Sequence, residues 1–179
     1  MSTSDYKQDA LKAKDKLAEV SPTMCLAKWN QTSLHLPTGL TNSCYHPPLH
    51  KMDADAVKLN PAALHNTQEK LNQRQQMLQG EQPEGCSYCW NMEKTGEMSD
   101  RHYRSGEPWA MQDFEDIRKN PRDEHWTPRY VEVNFNNACN LKCSYCSPQF
   151  STTWGKEIDR YGQYPTSPPH NAPEHFQGR

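Results

Sequence analysis

Leu, Ile, Val and Phe together supply only 22 of the 179 residues, about 12% of the chain. A self-sufficient apolar core normally draws about a fifth of a globular sequence from these four types. Chains below that level are usually disordered and carry a large net charge. This chain does not fit that class: its net charge is −2 and it holds five Trp, eight Tyr and seven Cys. Help other than aliphatic burial is therefore expected, such as a bound metal, a partner or further sequence.

The cysteines are the first place to look for that help. Met1 to Val20 alternates Lys with Asp, Glu and Gln and has no apolar segment of signal-peptide type. No run approaches the roughly 18 apolar residues of a membrane span. These features point to a cytoplasmic, reducing location and to no membrane partner. There, seven cysteines, an odd number, argue against a disulfide framework and for metal or redox chemistry. The near-neutral balance, with a pI of about 6.4, argues against a nucleic-acid partner.

Four segments are expected. Residues 1–20 read as a charged helix with a thin apolar stripe (Ala10, Leu11, Ala13, Leu17, Ala18), a solvated or frayed arm. Residues 21–100 are rich in cysteine and proline. Pro22, Pro37, Pro47 and Pro48 forbid a long helix there, and Trp29, Leu34, Leu36 and Leu40 suit a hairpin or a loop over a site. Asn60-Pro61 starts a helix whose Leu64, Leu71 and Leu78 mark one face up to Gly80, with Gln-rich faces left to solvent. Pro83 to Lys94 reads as a second short helix, stopped at Gly96. Residues 101–128 read as a linker with a helix over Trp109–Lys119. Residues 129–179 open with the best strand, Arg129–Phe135, where Val131, Val133 and Phe135 alternate with polar residues. A helix over Phe150–Tyr161 and a proline-rich tail follow.

Directly after that strand, Cys139, Cys143 and Cys146 form a C-x3-C-x2-C set. Three thiolates are one short of a closed zinc or iron–sulfur site, so a [4Fe–4S] cluster held here keeps one iron open. The run Cys139-Asn140-Leu141-Lys142-Cys143-Ser144-Tyr145-Cys146 resembles the cluster motif of the radical S-adenosylmethionine (SAM) superfamily. That resemblance implies a (β/α) barrel whose first strand is Arg129–Phe135, and SAM chelated to the open iron. It also implies reductive cleavage of SAM to a 5′-deoxyadenosyl radical that abstracts a hydrogen atom from substrate. Tyr145 would lie against the adenine. The competing reading is a zinc knuckle completed by His125, His170 or His175.

Cys25, Cys44, Cys86 and Cys89 remain, the number that closes a site. With Gly39 they give C-x13-G-x4-C followed by C-x2-C, which resembles the SPASM and twitch auxiliary domains of radical SAM enzymes. The resemblance implies an auxiliary [4Fe–4S] cluster, placed before the barrel instead of after it; a structural zinc is the alternative. Asn42, His46, Pro47 and Pro48 would shape the ligand loop, and His35 or His46 would be the histidines placed to replace a cysteine.

The expected fold class is thus α/β: a small irregular α+β twitch-like domain, then the start of a partial (β/α) radical SAM barrel. No Gly-rich SAM segment follows Cys146, where Gly155 stands alone, so the chain is expected to be the N-terminal part of a larger enzyme. The implied partners are a reductant such as flavodoxin or ferredoxin, a peptide, protein or small-molecule substrate, and the rest of the barrel. A different class is a zinc-stabilised binding module presenting Trp29, Trp90, Trp109 and Trp126 as its contact surface. A third is an inactive fragment.

Overall fold

The computed structural model of the chain describes residues 3–144, 146–148 and 150–163. It is a mixed α/β protein. The helices are α1 (Thr3–Ala18), α2 (Ala27–Asn30), α3 (Ala54–Leu59), α4 (Gln68–Leu78), α5 (Ser87–Lys94), α6 (Asp100–Gly106), α7 (Pro108–Met111), α8 (Phe114–Lys119) and α9 (Thr152–Tyr161). The strands are β1 (Gln31–His35), β2 (Leu40–Asn42), β3 (His50–Lys51) and β4 (Tyr130–Asn134), in the sheet order β3-β2-β1-β4. Two compact units result: one up to Leu34 plus Leu40–Glu132, the other His35–Gly39 plus the chain from Val133.

The first unit is organised around a run of backbone that is buried without a break from Thr23 to Ser33. Met24, Leu26 and Trp29 join Leu17, Ala110, Phe114 and Ile117 in the apolar core, with Trp109 and Trp126 packed against it. Polar anchors do much of the rest. The Trp29 indole donates to the Pro121 carbonyl (3.0 Å), the Asn30 amide to the Ala110 carbonyl (3.1 Å), and the Trp126 indole to Asn30 Oδ1 (2.8 Å). Aromatic rings with a polar tip thus replace the missing aliphatics. Trp29 and Trp90 are buried, and with Trp109 and Trp126 half-buried on the core, the four tryptophans are packing residues and not a presented surface.

The N-terminal helix is not a frayed arm. Ala10, Ala13 and Leu17 are fully buried and α1 packs along α6. Small residues permit the approach: a Cβ on Gly106 would lie 2.9 Å from the Asp9 carbonyl oxygen. Tyr6 stacks on Tyr103 at 5.2 Å to close the far end.

The 61–78 region also differs from its heptad pattern. Asn60 caps a 3-10 turn over Pro61–Leu64, the chain breaks at His65 and Asn66, and Thr67 caps α4 afresh. The buried face of α4 is Lys70, Gln73, Arg74 and Met77, while Leu71 and Leu78 are only half-buried. Burial here follows hydrogen-bond satisfaction, which apolar spacing does not report. The expected 109–119 helix is two, α7 and α8, with Asp113 between them pairing with Arg129 (2.8 Å).

Leu36–Gly39 turns β1 into β2, with Gly39 at φ 65°. β2 and β3 are antiparallel, Leu40 facing Lys51 and Thr41 facing His50. Arg129 N–H donates to Asn30 and Leu36 N–H to Asn134, so β4 runs parallel to β1 and forms the sheet's edge. Its expected alternation is present with the opposite consequence. Val131, Val133 and Phe135 are 49, 38 and 73% exposed, while Glu132 is engaged by Tyr45 (2.7 Å), Tyr130 (2.9 Å) and Ser33 (2.9 Å).

Candidate metal centre

Cys25, Cys44, Cys86 and Cys89 line one cavity of the first unit. Each arrives on a different local device. Cys25 ends the turn that leads into α2, and its carbonyl accepts from Lys28 N–H (3.0 Å). Cys44 follows β2. Cys86 caps α5 and Cys89 sits one turn into it, so C-x2-C places both on one side of the helix start. Arg101 ties the pieces together: it forks onto Glu93 (2.9 and 2.7 Å), donates to the Met24 carbonyl (2.7 Å) and lies over the Trp90 ring.

The cavity is about 20 Å³, room for a water molecule. Four thiolates about 2.3 Å from a shared zinc leave no such space between them. Consistently, among the described residues no three His, Cys, Asp or Glu converge closely enough to hold a single metal ion. The donor set is thus four cysteines spread around a small void. Ser43 lines the same cavity and is 1% exposed, and among the described residues its hydroxyl has no hydrogen-bond partner. A buried hydroxyl without a partner is costly.

Burial favours the protonated form of Cys25, Cys44 and Cys89. It pushes Cys25 up to about 12, assisted by the neighbouring Cys44, Cys89 and Cys86, and Cys89 up to about 11. Cys44 is also raised by burial, with Lys28 pulling the other way. Metal binding here must therefore displace protons.

The second unit carries Cys139, Cys143 and Cys146, all partly exposed. Their loop is strapped to the start of α9. Ser151 donates to the Leu141 carbonyl (2.8 Å) and caps α9, Thr153 donates to the Cys139 carbonyl (2.9 Å), and the Trp154 indole donates to the Cys143 carbonyl (3.1 Å). Lys142 pairs with Glu157. Tyr145, the expected adenine contact, lies outside the described residues, as do His170 and His175.

Sequence reasoning missed Ser43, Arg101, Ser151, Thr153 and Trp154. The one legible signal was Ser151 three residues before Trp154, a cap spacing. Of the two histidines offered as replacement ligands, His46 lines the cavity, but its Nε2 meets Asp100 (2.8 Å) and its ring stacks on Tyr88 at 3.9 Å. His35 belongs to the second unit, against Phe150. His125 stands beside the Asn60 amide (3.3 Å). No family model, curated protein or solved structure matches the chain. Among the described residues no helix is long and apolar enough to cross a membrane.

Proposed function

We propose that this chain is an iron–sulfur protein of radical SAM type. Cys139, Cys143 and Cys146 would hold the SAM-binding [4Fe–4S] cluster, and Cys25, Cys44, Cys86 and Cys89 an auxiliary [4Fe–4S] cluster. The observation that carries the reading is the convergence of four cysteines, far apart in sequence, on one void that suits a polynuclear group better than a single ion. The C-x3-C-x2-C set next to a parallel strand supports the other half.

When bound with SAM, the first cluster supplies one-electron cleavage of the sulfonium and hydrogen-atom abstraction from a substrate. The chain's own residues prepare for it. Ser151, Thr153 and Trp154 hold the carbonyls of Leu141, Cys139 and Cys143, which fixes the backbone that carries the thiols. In the first unit, Arg101 fixes Met24 and hence Cys25, and Ser43, on the cavity wall, would be available to hydrogen-bond a bound group. The reading extends to a flavodoxin or ferredoxin as electron donor and to a peptide, protein or small molecule as substrate. It places the chain as the cluster-bearing part of a partial (β/α) barrel enzyme.

Anaerobic reconstitution with iron, sulfide and zinc, followed by metal and sulfide analysis, tests it. About eight irons per chain, falling to about four in Cys139→Ala/Cys143→Ala/Cys146→Ala, are expected. One zinc and no iron in both proteins overturns the proposal in favour of a zinc-bound module. About four irons in both would leave only the auxiliary half standing.

A further inference from the structure

Beside the four-cysteine cavity lies an excess of buried positive charge. Lys28, Lys70 and Arg74 are 2, 0 and 2% exposed. All their hydrogen-bond acceptors are neutral. Lys28 donates to Gln73; Lys70 to Thr32 (2.7 Å) and Thr41 (3.0 Å); Arg74 to the Lys28 carbonyl (2.9 Å) and Asn66 (2.8 Å), with the His65 ring nitrogen 2.7 Å from its guanidinium. Glu69 accepts from Gln73 instead of from a cation, and Asp123 is the one acidic group that bears on Arg74. Arg101 is already neutralised by Glu93. Three buried cations whose hydrogen bonds, among the described residues, all go to neutral groups are strongly destabilising, and proteins keep such charges where they are compensated.

The compensation has an obvious site. Lys28 lines the cavity, and Thr41, which holds Lys70, is three residues before Cys44. Four thiolates around a metal core are a net anion, and the low dielectric of a buried site makes charge partners act strongly there. Lys70 reports the same imbalance: burial, with Arg74 and Lys28 nearby, pushes it down to about 6, and Cys44 is the one neighbour pulling it back up.

We propose, resting on the auxiliary centre assigned above, that Lys28, Lys70 and Arg74 are its counter-cations. They make loading of the four cysteines favourable and bias the loaded centre toward its more reduced, more negative state. These are positioning and tuning residues: Lys28 borders the cavity, while Lys70 and Arg74 act through space. The same cations explain why the metal-free fold is under strain from its own charge and how loading relieves it.

The experiment uses the full chain in the Cys139→Ala/Cys143→Ala/Cys146→Ala background, so that only the auxiliary centre is read. Lys28→Met, Lys28→Arg and Lys70→Met are reconstituted anaerobically. Iron content, the midpoint potential by dye-mediated titration with dithionite, and unfolding with and without metal are measured. Both Met variants are expected to have more negative potentials than the parent, while Lys28→Arg stays close to it. The metal-free Lys70→Met protein is expected to be more stable than its parent, and to gain less on loading. Should Lys28→Met take up no iron, Lys70→Met, which does not border the cavity, decides. Unchanged or raised potentials with unchanged metal-linked stabilisation overturn the proposal. A parent that binds no metal overturns the auxiliary-centre reading on which it rests.

Discussion

The two cysteine groups are built into the chain in opposite ways. The first-unit set is assembled from a turn, a strand end and a helix start, and is buried among an arginine fork and lysines. The second-unit set sits on a single loop, its three cysteines partly exposed, whose backbone is held by Thr153 and Trp154 of α9 and by the cap Ser151. A site built from distant segments ties its occupancy to the stability of the whole unit. A site built on one loop can gain or lose its occupant with little effect beyond that loop. That is the arrangement expected of a structural or electron-storing centre on one side and a reactive, open one on the other.

The sharpest way to break this contrast is to remove one thiol from each. Cys86→Ser is expected to lose its centre and lower the unfolding free energy of the reconstituted protein by more than about 4 kcal/mol, the scale of a lost structural metal. Cys143→Ser is expected to lose a comparable amount of iron with little change in the denaturant midpoint. Equal midpoints for the two variants would erase the distinction.

A smaller effect tests how tightly the first unit is packed. Gly106→Ala puts a methyl 2.9 Å from the Asp9 carbonyl oxygen, and about 1–3 kcal/mol of destabilisation is expected in urea unfolding. No loss would mean that α1 is as loosely attached as its charged sequence suggests.

The charge imbalance gives a pH dependence. Lys70 is depressed from 10.5 to about 6 in the fold by burial and by the Arg74 and Lys28 charges. Between those values the unfolded chain binds a proton that the folded chain does not, so stability rises with pH. The penalty is full below about pH 6 and is relieved as pH climbs. Metal-free protein should therefore be more stable at pH 8 than at pH 6, by up to about 1.4 kcal/mol per unit, and Lys70→Met should flatten the rise. A slope that survives the substitution would place its origin elsewhere.

In the second unit, Ser151→Ala removes the donor to Leu141 and the cap of α9. About 1 kcal/mol is expected, confined to the loop and read as faster amide exchange there and faster iron loss to a chelator. The smallest effect belongs to Phe135→Ser on the exposed edge: 73% exposed, it should change stability by no more than about 0.5 kcal/mol.

Much of the site was legible because cysteine is scarce and its spacings are specific. The grouping of Cys25 and Cys44 with Cys86 and Cys89 came from spacing, and the chain folds them around one cavity. Helix starts at Asn60 and stops at Gly80 and Gly96 were equally readable, since capping side chains and positive-φ glycines act locally. The faces were not. Leu64, Leu71 and Leu78 have the right period, yet α4 turns Lys70, Gln73 and Arg74 inward because buried carbonyls and hydroxyls await their donors.

The sequence by itself therefore determined which cysteines are candidates for one site and where short elements begin and end. Both depend on residue type and spacing over a few positions. The tertiary structure alone decided that α1 is core, that β4 shows its valines to solvent, and that Lys28, Lys70 and Arg74 are buried, with Lys28 on the wall of the four-cysteine cavity. Those outcomes depend on what each side chain meets from remote parts of the chain, and with so few aliphatic residues the polar partners settle it.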